Sequence, residues 1–159
     1  MQEVDGTNGN RYHVGMAIRL LNTTEIPLAQ RMIWEVFSSS FAPLYTEAGA
    51  ELFRRFVEDR VGMLCLTHYG AFQDGALDGV ISLRGSEHIA CLFVRQRAQG
   101  QGIGRALFQK VLDATHPAWV TTDAAPSAVG FYQKLGFEIW SEEQYDRGMR
   151  YVPMIWMDE

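Results

Sequence analysis

Residues 97–105 read RAQGQGIGR, with glycines at three alternate positions, Gly100, Gly102 and Gly104. Glycine weakens a helix by roughly 1 kcal/mol relative to alanine and frees the backbone, so three of them beside a helical pattern need a reason. A helix beginning here would present unpaired N–H groups at a point free of side-chain bulk, which suits a phosphate. Arg95, Arg97 and Arg105 flank the stretch and agree with an anion. Two common phosphate-binding patterns fail on spacing. A dinucleotide fingerprint needs G-x-G-x-x-G, and counting from Gly100 puts Arg105 where the third glycine belongs. A P-loop needs G-x-x-x-x-G-K-S/T, and the sixth residue is again Arg105. An isolated G-x-G would be a plain turn, so the surroundings decide.

Those surroundings belong to a chain of 159 residues, 47% hydrophobic and 21% charged, a composition that suits one globular domain with a single core. A formal charge of −5 argues against a general nucleic-acid or anionic-membrane binder and suits a cationic substrate. No apolar run approaches the roughly 18 residues that span a bilayer. Residues 1–13, MQEVDGTNGNRYH, are polar without an apolar h-region and read as a loose tail rather than a signal peptide, which leaves 14–159 as the domain. Cys65 and Cys91 sit singly in apolar runs and read as buried free thiols, which points to the cytoplasm.

The elements follow from periodicity and breakers. MAIRLL (16–21) reads as a strand, and TTEIPLAQRMIWEVFSSSF (23–41) as a helix capped by Thr23 or Thr24. A second helix runs from Glu47 to Asp59. Residues 62–70, 75–84 and 87–95 are short apolar runs bounded by Gly, Asp or Ser, as in an antiparallel meander. The glycine stretch leads into a helix over 102–115, then a strand over 118–124 and a short helix over 127–137 stopped by Gly136. FEIWSE and MRYVPMIWM finish as strands, with SEEQYD (141–146) as a hairpin loop. The order describes one mixed α/β (α+β) domain with helices on a mostly antiparallel sheet.

LFVRQRAQGQGIGRAL (92–107) thus runs from an apolar strand through a polar turn into the glycines and a helix. Here the chain resembles the GNAT superfamily of N-acetyltransferases. Gln99-Gly100-Gln101-Gly102-Ile103-Gly104 matches that family's Q/R-x-x-G-x-G/A signature for acetyl-CoA, and AVGFYQKLGFE (128–138) matches its second motif, A-x-x-F-Y-x-x-x-G-F. One departure stands out: the family often carries Asn seven positions before its motif tyrosine, and this chain has Ala125 there, with Ser127 near enough to substitute.

The resemblance implies a mixed, mostly antiparallel central sheet with helices on both faces, and acetyl-CoA as co-substrate with no metal. It implies that the main chain of Leu92, Phe93 and Val94 pairs with the pantetheine arm as an added strand would, and that N–H groups from Gly100 to Arg105 hold the pyrophosphate. An amide near Val94 would polarise the thioester carbonyl. Transfer to an amine also needs an acid and a base. Tyr132, a phenol protonated at neutral pH, suits the acid that protonates the leaving thiolate; by helical spacing alone it is a core tyrosine beside Ala128, Phe131 and Leu135. In a regular strand His88 shares a face with Val94, where the histone-acetyltransferase branch places a glutamate base, and an imidazole suits that task; Glu87 is its rival, and an exposed charged pair the plain alternative.

The acceptor is then an amine of a small molecule or a peptide. Trp34, Phe37, Phe41 and Tyr45 are available to wall its site and Glu35, Glu47 or Glu51 to attract an ammonium, although each also reads as helix core or solvated face. A non-catalytic acyl-CoA-binding module on the same fold is the rival function; a tyrosine retained beside the glycine loop argues against it. The final strands are free to pair across a two-fold axis, so a homodimer is compatible with the residues.

Overall fold

The computed structural model describes residues 16–159 throughout, preceded by two three-residue strands, β1 (Glu3–Asp5) and β2 (Arg11–His13), which pair with each other antiparallel. The rest of the stretch expected as a loose tail lies outside the described residues. From β3 (Met16–Leu20) the chain turns at Asn22, which caps the first helix in place of Thr23 or Thr24. Asn22 Oδ1 accepts from the Thr24 N–H at 3.1 Å, and Glu25 Oε1 accepts from the Asn22 N–H at 3.0 Å. The short amide reaches these donors from an extended backbone, whereas Thr23 and Thr24 already lie inside the turn.

Helix α1 (Ile26–Val36) buries Ile26, Ala29, Met32, Ile33 and Val36 and then widens into π-type turns over Phe37–Phe41. Helix α2 (Glu47–Glu58) follows, and then a short α3 (Arg60–Leu64). The latter corrects the strand expected over 62–70. The Asp59 carboxylate accepts from the Gly62 N–H at 3.0 Å and starts a helical turn, so β4 (Thr67–Gln73) begins only afterwards. Cys65 closes that turn exposed, and only Cys91 is a buried thiol.

The remaining elements are β5 (Ala76–Arg84), β6 (His88–Val94), α4 (Ile103–Thr115), β7 (Trp119–Ala124), α5 (Val129–Lys134), β8 (Glu138–Ile139), β9 (Gln144–Asp146) and β10 (Met149–Met157). SEEQYD, expected as a loop, contributes β9, which pairs with β10. The sheet order is β3-β4-β5-β6-β7-β10-β8, and β6 with β7 is the parallel pair in an otherwise antiparallel sheet. Alternation sends Ile81, Leu83 and Val120 to one face, where α4 packs Ile103, Leu107 and Val111 on them. Val80 and Cys91 go to the other, under Met32 and Ile33 of α1 and Val57 of α2.

Two irregularities shape the centre. Strands β6 and β7 pair only at His88–Thr121 and Ile89–Thr122, and beyond that point the two part. In addition, β6 carries a bulge: Cys91 faces Ser82 and Ile89 faces Leu83, which leaves Ala90 as an extra residue. A bulge bends its strand and inverts the side-chain alternation past it. Ile89 therefore shares a face with Leu92 and Val94, and His88 points to the opposite face, with Phe93. The expectation that His88 and Val94 share a face assumed a regular strand and is overturned by this one residue.

Candidate active site

The turn after β6 is built by its glycines, each for its own reason. Gly100 and Gly102 have φ of +78° and +81°, the left-handed region that costs other residues about 1 kcal/mol or more. Gly104 lies inside α4, where a Cβ would come 2.7 Å from Cζ of Phe131. The first two turn the chain, and the third lets α5 approach α4. Gly102 precedes the first helical residue without a side-chain cap, so the N–H groups at the start of α4 remain available, with the positive end of the helix behind them.

These groups open onto a cleft of about 480 Å³ that begins at the glycine turn, follows β6 and is walled on its far side by α5. Leu92, Phe93 and Val94 line it from the strand, and Gln99, Gly100, Gly102, Ile103, Gly104 and Arg105 from the turn and the helix start. Ser127 and Tyr132 line it from the opposite wall. Gln101 is not among its lining residues, and its Oε1 is buried without a hydrogen-bond partner among the described residues. The Gln99 amide donates to the Val94 carbonyl at 3.0 Å, which ties the turn to the end of β6.

The charges differ from the sequence expectation. Of the three arginines around the turn, only Arg105 lines the cleft; its guanidinium donates to the Lys134 carbonyl at 2.7 Å. Arg95 instead pairs with Glu35 and donates to the Leu77 carbonyl, and Arg97 pairs with the buried Asp78 at 2.7 Å. Lys134, which sequence reasoning missed, supplies the second cation, and among the described residues no carboxylate lines the cleft. Lys134 sits on the exposed side of a short helix, where nothing in the local sequence points to the cleft. Phe131 was expected in the core with Tyr132; it is instead 40% exposed and covers Gly104 at the cleft wall.

At the closed end of the strand gap, two titratable groups lie on opposite sides of the sheet. Tyr132 is buried in the core shared by α4 and α5 and lines the cleft. Burial pushes its pKa well above the usual phenol range, and the hydroxyl of Thr122 only partly opposes this, so the phenol keeps its proton. His88 lies on the other face, half-buried, with Nδ1 2.9 Å from Thr121 Oγ1 and Nε2 3.9 Å from Asp123 Oδ2. Burial lowers its pKa, Asp123 raises it and Arg84 lowers it, for a net shift downward; the ring is neutral at pH 7. His88 does not line the cleft itself.

The face on which His88 lies carries the aromatic residues picked out in the sequence. Phe37 is buried, with Trp34, Phe41, Tyr45 and Phe53 around it at centroid distances of 5.8, 6.3, 5.9 and 4.0 Å. The π-type turns bring Phe41 out of that cluster to meet Phe93 edge-on at 5.5 Å, and both line the cleft. Of the acidic residues considered beside them, Glu35 is held by Arg95 and Glu51 by Arg54 and Arg55.

The fold has known counterparts. Residues 41–157 match the family model described as an acetyltransferase (GNAT) domain. A peptidyl-lysine N-acetyltransferase, YjaB of Salmonella typhimurium, is 36% identical over 62 residues, 38% of this chain and 42% of that protein. A GCN5-related N-acetyltransferase of Rhodopseudomonas palustris superposes with a TM-score of 0.77 at 20% identity, over 89% of this chain and 94% of that one. The PaiA N-acetyltransferase of Thermoplasma acidophilum, solved with coenzyme A, superposes with a TM-score of 0.73 at 18% identity, over 90% and 99%.

Proposed function

The chain belongs to the GNAT family of acetyltransferases, and from that premise we propose that residues 14–159 form an acetyl-CoA-dependent N-acetyltransferase acting on a primary amine. One observation carries the reading. The parting of β6 from β7 leads from a bare helix N-terminus to a point with the buried Tyr132 phenol on one side of the sheet and the half-buried His88 imidazole on the other.

The residues present fit the cofactor. Among the described residues the edge of β6 that faces β7 has no strand partner beyond Ile89, so the main chain of Leu92, Phe93 and Val94 can pair with an extended pantetheine arm. Space is open above Gly100, and N–H groups from Gly100 to Arg105, with Arg105 and Lys134 beside them, would hold the pyrophosphate. Ser127, on the cleft wall, would take the part of the absent asparagine at Ala125. Bound acetyl-CoA supplies a thioester whose carbonyl carbon accepts the amine.

The side chains then divide the proton work. An amine of lysine type has a pKa near 10.4, so about one molecule in a thousand is neutral at pH 7 and a base must complete the deprotonation. His88 Nε2 takes that proton on the acceptor side of the sheet. Tyr132 Oη gives its proton to the departing sulfur on the other side, and the Val94 amide polarises the carbonyl between them. Phe41 and Phe93 would flank the incoming amine. The Salmonella relative's name, a peptidyl-lysine N-acetyltransferase, adds a protein lysine to the amines worth testing.

Thermal-shift titration against acetyl-CoA and NADH, followed by turnover of acetyl-CoA with polyamines, amino acids, aminoglycosides and lysine peptides, tests the reading. A ligand at 100 times its Kd stabilises by about 2.7 kcal/mol, which a melting curve resolves. Stabilisation by acetyl-CoA and thiol release with at least one amine is expected. Stabilisation by NADH alone, or CoA binding without turnover of any amine, would overturn it.

A further inference from the structure

Three side chains surround the His88 ring: Thr121 and Asp123 from β7, and Arg84, its partner across β5. The Thr121 hydroxyl oxygen lies 2.9 Å from Nδ1 and 3.3 Å from the Glu87 carbonyl, to which it can donate while its oxygen accepts from the ring. In that arrangement the neutral ring carries its hydrogen on Nδ1, which donates to Thr121 Oγ1 at 2.9 Å and leaves the Nε2 lone pair free. Asp123, two residues along β7 on the same face, places a carboxylate oxygen 3.9 Å from that nitrogen. Arg84 opposes a positive charge on the ring, and Glu87, the preceding residue, is exposed. Asp123 is thus the carboxylate set directly against Nε2.

We propose that Thr121 and Asp123 are positioning residues for His88: Thr121 fixes the tautomer with Nε2 as the proton-accepting atom, and Asp123 stabilises the imidazolium that forms. The inference rests on the reading of His88 as the base. The proton passes from the acceptor nitrogen to Nε2, and the electron pair of the broken N–H bond stays on the nitrogen that attacks. Nε2 afterwards releases the proton to solvent. Asp123 is 53% exposed on its side chain, so its influence on the ring is screened by salt, while the tautomer bond of Thr121 is not.

The pH profile of kcat/KM and an NMR titration of the His88 ring in the full-length protein test this. Asp123→Asn is expected to move both the acidic limb of the profile and the ring titration down by about half to one pH unit at low salt, with a smaller shift at high salt. Thr121→Val should lower kcat/KM and change the ring's nitrogen shifts toward a mixture of tautomers, with Thr121→Ser restoring both. A limb and ring titration unmoved in Asp123→Asn, with His88→Gln inactive, would overturn the positioning and leave the base reading intact. Full activity in His88→Gln would overturn the base reading, and the positioning with it. Acetyl-CoA affinity should be unchanged in all four variants, since none of these residues lines the cofactor cleft.

Discussion

The ring of Phe131 lies over Gly104, so close that a methyl group there would come 2.7 Å from Cζ. The third glycine of the signature therefore serves the wall of the cleft rather than the bend of the chain. Gly104→Ala is expected to leave folding nearly unchanged. The gain in helix propensity, about 0.5–1 kcal/mol, offsets the displacement of a ring that is 40% exposed and free to swing. The swung ring narrows the cleft, so acetyl-CoA affinity should fall several-fold. Thermal melts with and without acetyl-CoA check this, and an unchanged ligand-induced shift would refute it.

Tyr132→Phe removes the proposed proton donor and keeps the packing. A general acid contributes typically 10²–10⁴-fold, so kcat should fall by about that range with the KM for acetyl-CoA unchanged. Thr122 still has the Ile89 carbonyl as its acceptor at 3.1 Å, so no buried hydroxyl loses its bond. Wild-type turnover in this variant would remove Tyr132 from the chemistry. Because burial raises the phenol's pKa, the wild type should show no loss of activity from its ionisation up to pH 10.

Arg97 and Arg105 stand eight positions apart but should give opposite phenotypes. Arg105→Ala should weaken acetyl-CoA binding and flatten its salt dependence, with little change in stability. Arg97→Ala should leave binding intact and cost on the order of 1–3 kcal/mol, because Asp78, only 4% exposed, loses its charged partner. Isothermal titration and urea unfolding of both variants separate the two. A binding defect in Arg97→Ala would return that residue to the anion site.

Stability should fall on the acidic side of neutrality, with His68 as one cause. It is buried, Nε2–H donates to the Met63 carbonyl at 2.7 Å and Nδ1 accepts from Ser82 Oγ at 2.6 Å. Burial holds its folded pKa below the usual 6.5, so between those two values the unfolded chain binds the extra proton. Stability is then at its full value above about pH 6.5 and is lost as pH falls from there toward the folded pKa. His88, also lowered, acts with the same sign. Urea midpoints at pH 7.5 and 5.5 should drop in the wild type and drop less in His68→Gln; an equal drop in both would acquit His68.

What the amino-acid order determined alone is what short-range chemistry encodes. The glycines at 100 and 102 announce a bare helix start because no other residue takes φ near +80° without strain, and the AVGFYQKLGFE motif places Tyr132 on a helix next to it. Helix phases, the meander and the family resemblance follow from the same local patterns. Tertiary structure decided where those groups point and which of them are free. A bulge at Ala90 turns His88 to the face opposite Val94, and a bulge depends on the pairing of two strands, which residue types along one strand do not reveal. Arg95 and Arg97, basic neighbours of the glycine turn, are claimed by Glu35 and Asp78 from distant parts of the chain, while Lys134 arrives at the cleft from α5. Long-range partners set the charge of the site, and only folding brings them together.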